Sequence, residues 1–309
     1  MMRGNARNRS YERQSLHARS LRVVRVVRHM APLLVFLVLL LLSGCEQAVV
    51  LNTKGSIGSD ERSLIVTAAL LMLIVAGPVF FLTFYFGRKY RASNTKAKYS
   101  PEWSHSRGVE IVMWLVPVLI IAVLGTIVWT SSHRLDPYRS IDTPGEPIAI
   151  EAISLDWKWL FIYPDLGIAS VNEVAFPEDV QASFRITSDT VMNSFFIPQL
   201  GSQVYAMTGM ITQLHLLADA TGDYHGMSAN FSGDGFSEME FTAVVGTREE
   251  FDAWVSRVRE SADTLDWERY VQLEAPSHHD QVTYFSSVDD GLFEAIVTEY
   301  MRARPVSEE

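Results

Sequence analysis

Two long, predominantly apolar runs, Leu64–Phe86 and Ile111–Thr130, limit what this chain can fold into more than any other feature. At about 1.5 Å per residue each helix reaches ~30 Å or more, the thickness of a bilayer's hydrocarbon core. Backbone groups inside lipid must be satisfied within the segment, which predicts two membrane-spanning helices. Pro78 and Pro117 fall inside them and are tolerable where neighbouring helices take up freed backbone groups. Between the runs, Arg88, Lys89, Arg91, Lys96, Lys98 and Arg107 outnumber Glu102 and Glu110. Positive residues stay on the cytoplasmic side, so this loop is cytoplasmic and everything after Ser131 faces outward. The hairpin with its flanks is expected over residues 45–135.

A third run, Ala31–Leu42, reaches only about 18 Å and is preceded by Arg19, Arg22, Arg25 and Arg28. A basic region, a short apolar core and small residues at its end describe an export signal, here 1–44. The sequence that follows, Leu42-Ser43-Gly44-Cys45, resembles the bacterial lipobox, whose cysteine is acylated after the leader is cut off. The plainer alternative is an uncleaved anchor with an incidental cysteine. Cys45 is the one cysteine of the chain, so no internal disulfide is possible.

The formal net charge of −10 hides an asymmetry. Residues 1–44 carry eight Arg and one Glu, whereas residues 131–309 carry 10 basic and 30 acidic side chains. An acidic exported part lacks the basic face that nucleic acids require. It reads as a solvated surface, or alternatively as a docking face for a basic partner.

Past the Pro-containing linker Ser131–Glu146 the apolar period changes to two. Ile148–Ser154 and Glu238–Ala243 alternate like half-buried strands, with shorter candidates at Ser183–Thr187, Gln203–Ala206 and Gln213–Ala218. Regular short strands divided by Gly, Pro, Asn and Asp predict a β-sandwich. Near residue 247 the pattern turns helical. Thr247-Arg248-Glu249-Glu250 has capping-box spacing ahead of Phe251, Trp254, Val255 and Val258. Asp266 is placed to cap a helix carrying Trp267, Tyr270 and Leu273. Leu292, Phe293, Ile296, Val297, Tyr300 and Met301 form a third stripe. The expected fold is a two-helix transmembrane hairpin, then an all-β sandwich over 145–245, then a helical extension over 246–303.

Four stretches carry a family resemblance: Tyr99–Pro117 (YSPEWSHSRGVEIVMWLVP), Asp156–Pro177 (DWKWLFIYPDLGIASVNEVAFP), Val191–Met210 (VMNSFFIPQLGSQVYAMTGM) and Tyr224–Phe241 (YHGMSANFSGDGFSEMEF). Together with the lipobox and the hairpin, they make the chain similar to subunit II of the haem-copper respiratory oxidases. Within that group it looks most like the cytochrome o ubiquinol oxidases of proteobacteria. The resemblance implies a cupredoxin-like sandwich. In cytochrome c oxidases that sandwich holds two coppers bridged by two thiolates, on a loop reading Cys, a residue, Glu, a residue, Cys, three residues, His, two residues, Met. In this register the loop presents Ser228, Asn230, Ser232, Phe236 and Met239, and Asn193 stands at the other His position. Thiolates make such a site soft enough for copper, and none is available here. His215 and His225 are out of register, and a lone Met in a strand is ordinarily core. No copper site is expected.

The resemblance further implies an accessory subunit of a proton-pumping oxidase in the bacterial inner membrane, with its sandwich in the periplasm. Haems, copper and the ubiquinol site would lie in the large subunit I. The Trp157-Lys158-Trp159 segment resembles the aromatic patch near which cytochrome c delivers electrons; without copper behind it, it reads as core or subunit contact. Glu110, in family terms, stands near the cytoplasmic mouth of a proton channel shared with the large subunit. Its plainer reading is a solvated carboxylate that favours the helix dipole. Two other classes are a free-standing membrane lipoprotein with a binding or sensing β-sandwich, and an electron carrier with an atypical copper site.

Overall fold

The computed structural model describes residues 49–301, except 99 and 144. The leader, the Ala31–Leu42 run and Cys45 lie outside the described residues. Of the first unit, residues 1–52, only the end is described, where Val49–Leu51 makes a single 3-10 turn. The second unit, from Thr53 onward, contains the hairpin, the sandwich and the C-terminal elements.

Helices α1 (Ser56–Lys89) and α2 (Arg107–Arg134) contain both apolar runs and extend past them at each end. Pro78 and Pro117 lie within continuous helix. Their large apolar side chains point outward all round; Phe84 and Trp114 are 75% and 77% exposed. A helix apolar on every face is made for lipid or for other membrane helices. The chain entering α1 lies against the sandwich: Lys54 N donates to Gln199 O at 2.8 Å and Gly58 N to Leu200 O at 3.0 Å. Gly55 is needed here, because a Cβ would run into the Leu217 carbonyl and the Leu200 backbone.

Among the described residues the sandwich has eleven strands: β1 (Ile148–Ser154), β2 (Trp159–Tyr163), β3 (Ile168–Val171), β4 (Glu173–Pro177), β5 (Ala182–Ser188), β6 (Asn193–Phe196), β7 (Val204–Ala206), β8 (Thr212–Leu216), β9 (Gly222–Ser228), β10 (Glu240–Gly246) and β11 (Thr283–Phe285). One sheet runs β11-β3-β2-β1-β5-β8 and the other β4-β10-β9-β6-β7. Pairing is antiparallel apart from β1 with β5 and β10 with β4. This is the cupredoxin-like sandwich the resemblance implies.

The strand periodicity has a different cause from the expected one. Ile148–Ser154 is not half-buried: its residues from Ile150 to Ser154 are all buried. Ile150, Ala152, Trp159, Phe161 and Tyr163 face the second sheet in one core. Their neighbours Ile153, Leu160 and Ile162 face the other way, into a second core made with Leu265, Tyr270, Phe285, Leu292, Phe293, Ile296 and Val297. The first sheet is thus covered on both faces, which is why β2 reads WLFIY without alternation.

The C-terminal region supplies that cover. Helix α3 (Arg248–Arg259) begins with the expected capping box: Thr247 N donates to Glu250 Oε2 at 2.7 Å, and Glu250 N to Thr247 Oγ1 at 3.3 Å. Its Phe251, Trp254, Val255 and Val258 join the sandwich core. Asp266 caps α4 (Trp267–Glu274) by accepting from Arg269 N at 2.8 Å. Tyr270 is buried there, whereas Trp267 is 42% exposed and lies off the expected stripe. Helix α5 (Leu292–Met301) buries Leu292, Phe293, Ile296 and Val297. The stretch expected to be helical also contains β11, which adds to the edge of β3. Strand β10 starts at Glu240 rather than Glu238, since Phe236–Glu238 forms a 3-10 turn.

Candidate functional site

The loop in copper-motif register joins β9 to β10, which pair antiparallel down to Met227 opposite Glu240. Ser228 ends β9, opposite Phe195 of β6, and Asn193 begins β6. This pairing brings the two side chains together in the interior, at 4% and 0% exposure. Ser228 Oγ donates to Asn193 Oδ1 at 2.5 Å. Ser228 N donates to Met239 O at 3.0 Å, and the Met239 side chain is core. Asn193 and Ser228 thus meet side chain to side chain, and Met239 is tied to Ser228 through the backbone.

The other positions belong to the surrounding fold. Asn230 Nδ2 donates to Met192 O at 2.9 Å, tying the loop to the β5–β6 connection. Ser232 O accepts from Trp157 Nε1 at 2.9 Å, while its buried Oγ has no hydrogen-bond partner among the described residues. Phe236 sits against Phe231, ring centroids 5.6 Å apart. His215 lies on β8 and bonds to Gln181 at 3.0 Å, and His225 on β9 faces Glu240 at 3.8 Å.

This donor set does not fit a dinuclear copper centre. It offers a carboxamide at 193, hydroxyls at 228 and 232, an amide at 230, a phenyl ring at 236 and one thioether. A soft copper site needs thiolates and imidazoles. The two innermost polar groups moreover satisfy one another, as buried polar atoms must.

Behind the loop stands the Trp157-Lys158-Trp159 segment. Trp159 is fully buried, with Phe195 and Phe241 at 5.3 and 5.9 Å. Trp157 packs so closely beneath Gly235 that a Cβ there would enter its ring, and the His278 ring lies against it at 4.8 Å, tilted by 31°. Lys158 is 2% exposed. Its ammonium donates to Ala275 O at 2.9 Å, to Ser277 Oγ, and to Asp280 Oδ2 at 3.4 Å. His278 and His279 reach Glu238 at 3.2 and 3.3 Å, so residues 275–280 clamp both loop and aromatic segment. The clamp was not anticipated from sequence. Its available signal was a lysine inside an apolar run, which needs a partner when buried.

Glu110 lies in the first turn of α2, and its Oε1 is 2.6 Å from His105 Nδ1. Both side chains are about half exposed, and Glu110 lines a surface with Arg107, Ile111, Trp114, Leu115 and Val118.

Residues 167–245 match the family model described as cytochrome c oxidase subunit II, periplasmic domain, and residues 259–303 match the COX aromatic rich motif. The cytochrome bo(3) ubiquinol oxidase subunit 2 of Pseudomonas aeruginosa is 55% identical over 261 residues, covering 84% of this chain and 78% of that protein. Its namesake from Pseudomonas putida is 48% identical over 280 residues, covering 90% and 89%. The ubiquinol oxidase subunit 2 of Acetobacter aceti is 49% identical over 263 residues, covering 84% and 85%. The chain belongs to the ubiquinol oxidase subunit 2 family. As such it is a subunit of a respiratory terminal oxidase, with two candidate membrane spans and a periplasmic cupredoxin-like domain. The aromatic rich motif of this subunit 2 coincides with the outer core: α4, β11 and α5 all fall within it.

Proposed function

We propose that this chain is a copper-free accessory subunit of a proton-pumping ubiquinol oxidase of the bacterial inner membrane. Ubiquinol, diffusing in the bilayer, delivers electrons directly to the large subunit I, which carries the haems and the copper that reduce dioxygen to water. No electron then passes through the sandwich, and a donor site for cytochrome c has no use. The observation that carries this reading is the bond between Ser228 Oγ and Asn193 Oδ1, 2.5 Å long, at two of the ligand positions. The frame of a copper loop survives around groups that bond to each other.

In the same reading residues 1–44 are a leader, Cys45 is the acylated mature N-terminus, and 45–135 form the membrane hairpin with spans near 64–86 and 111–130. The periplasmic domain is 145–245, and 246–303 is its helical cover. Glu110 serves proton intake at the cytoplasmic edge of α2. Support comes from its carboxylate meeting an imidazole beside an apolar surface, since an acid facing lipid alone would be expensive.

The test is purification in mild detergent followed by an absorption spectrum and oxygen uptake. Co-purifying haem, with uptake driven by ubiquinol and not by reduced cytochrome c, is expected. A lone haem-free chain would instead favour a free-standing lipoprotein with a binding sandwich.

A further inference from the structure

Where the hairpin meets the sandwich there is a cavity of about 350 Å³ that electron and proton transfer do not use. It is at the small end of the ~300–1,000 Å³ typical of ligand pockets. Its charged lining is Asp60 from α1, Arg134 from α2, and Asp136, Arg139 and Asp142 from the linker. The linker is fixed in place. Gln181 Oε1 accepts from Ile141 N at 2.7 Å and from Ser140 Oγ at 3.0 Å, while Gln181 Nε2 bonds His215 Nδ1 at 3.0 Å.

The depth of this cavity follows from the spans. The first apolar run begins at Leu64 and the second ends at Thr130, so Asp60 and Arg134 each stand four residues beyond the hydrocarbon. At 1.5 Å per residue that is about 6 Å. A bilayer is ~30 Å thick in its core and ~40–45 Å with headgroups, leaving ~5–8 Å of headgroup on each side. Asp60 and Arg134 are thus at the level of lipid phosphates, and they pair with each other at 2.5 Å. Arg139 N donates to Asp136 O at 2.9 Å, while its guanidinium, exposed on the same wall, has no hydrogen bond or ion pair among the described residues.

We propose that this cavity binds the headgroup of one phospholipid carrying a phosphate and a primary ammonium, of the phosphatidylethanolamine type. The free guanidinium of Arg139 suits a phosphate, which it can grip with two parallel N–H groups. Three carboxylates on the same walls oppose a purely anionic headgroup, but accept hydrogen bonds from an ammonium, which has three to give. A quaternary choline has none to donate. The lining therefore discriminates among headgroups by charge and by hydrogen bonding together.

The experiment uses the whole oxidase complex, purified in mild detergent and washed free of loosely held lipid. Retained phospholipid per haem is counted by mass spectrometry for the wild type and for Arg139→Gln and Asp142→Asn. Delipidated complex is then titrated with phosphatidylethanolamine, phosphatidylcholine, phosphatidylglycerol and inorganic phosphate while its thermal midpoint is followed. Arg139→Gln should retain one phosphatidylethanolamine fewer, with other lipids unchanged. In the wild type, phosphatidylethanolamine should act at about tenfold lower concentration than phosphatidylcholine, the worth of one charge-assisted hydrogen bond. Asp142→Asn should erase that preference while a phospholipid is still held. An unchanged phosphatidylethanolamine count in Arg139→Gln, as when another subunit fills the cavity, overturns the proposal. So does equal potency of phosphatidylcholine, or a midpoint shift reproduced by inorganic phosphate.

Discussion

Asp280→Ala tests whether the clamp over the aromatic segment holds the C-terminal region in place. Lys158 is buried at 2% exposure, and Asp280, 30% exposed, is the one carboxylate its ammonium reaches among the described residues, at 3.4 Å. Removing one member of a fully buried ion pair costs ~3–5 kcal/mol, because the other charge is left uncompensated. Here the ammonium keeps Ala275 O and Ser277 Oγ, and water can approach where Asp280 stood. The cost should therefore be lower, about 2 kcal/mol. If the exported part, residues 145–303, unfolds as one unit, that is about 4–8 °C in thermal midpoint. Lys158→Met keeps a long apolar stem and removes the buried charge, so Lys158→Met/Asp280→Ala should recover most of the loss. The assay is thermal unfolding of the purified subunit in detergent, followed by tryptophan fluorescence, with limited proteolysis locating the loosened segment at residues 259–303. A shift below about 1 °C for Asp280→Ala would refute the reasoning, as would a double variant less stable than the single.

Four further outcomes are expected. Mass spectrometry of the mature protein should find a fragment beginning at lipid-bearing Cys45, and Cys45→Ala should stay in the membrane because two spans already anchor it. Glu110→Ala should slow quinol oxidation with normal assembly and haem content, by less than the ~10²-fold that a proton donor at the chemical step is worth; Glu110→Asp should retain more activity. An original rate across pH 6 to 9 would reduce Glu110 to a helix-start charge. Introducing His at 193 and 236, Cys at 228 and 232 and Glu at 230 should create a coloured copper site, since Ser228 and Asn193 already touch. The Tyr284 hydroxyl donates to Glu173 Oε1 at 2.6 Å, and burial first, then this bond, pushes its pKa up to about 12. Its contribution to stability is complete below pH ~10 and is lost as pH rises through about 12, so Tyr284→Phe should flatten the alkaline limb of pH-dependent unfolding.

The two long apolar helices were legible because length and apolarity alone specify them, and Pro78 and Pro117 left the helices continuous. The capping box at Thr247 and Glu250 was equally local and formed as read. Strands suffered where tertiary cover changed the pattern. Strand β2 has no alternation because residues facing either way are buried, one set under the second sheet and the other under α4 and α5. The three-residue strand β11 has no signal of its own and exists because β3 offers it an edge. At the candidate site the register of Ser228, Asn230, Ser232, Phe236 and Met239 was visible as spacing. The contact between Ser228 and Asn193 depends on β6 pairing with β9, a long-range fact that spacing does not contain. The clamp on Lys158 spans more than a hundred residues and was hidden for the same reason.

Copper uptake by the chain separated from the large subunit tests the central claim most directly. The chain, refolded or expressed alone and equilibrated with copper, would be dialysed, analysed for metal and scanned for visible absorption. The groups at 193, 228, 230, 232 and 236 supply neither thiolate nor imidazole, so no stoichiometric copper and no colour should remain. Two coppers per chain with an intense thiolate-like band, or cytochrome c-driven reduction of the isolated chain, would contradict the account.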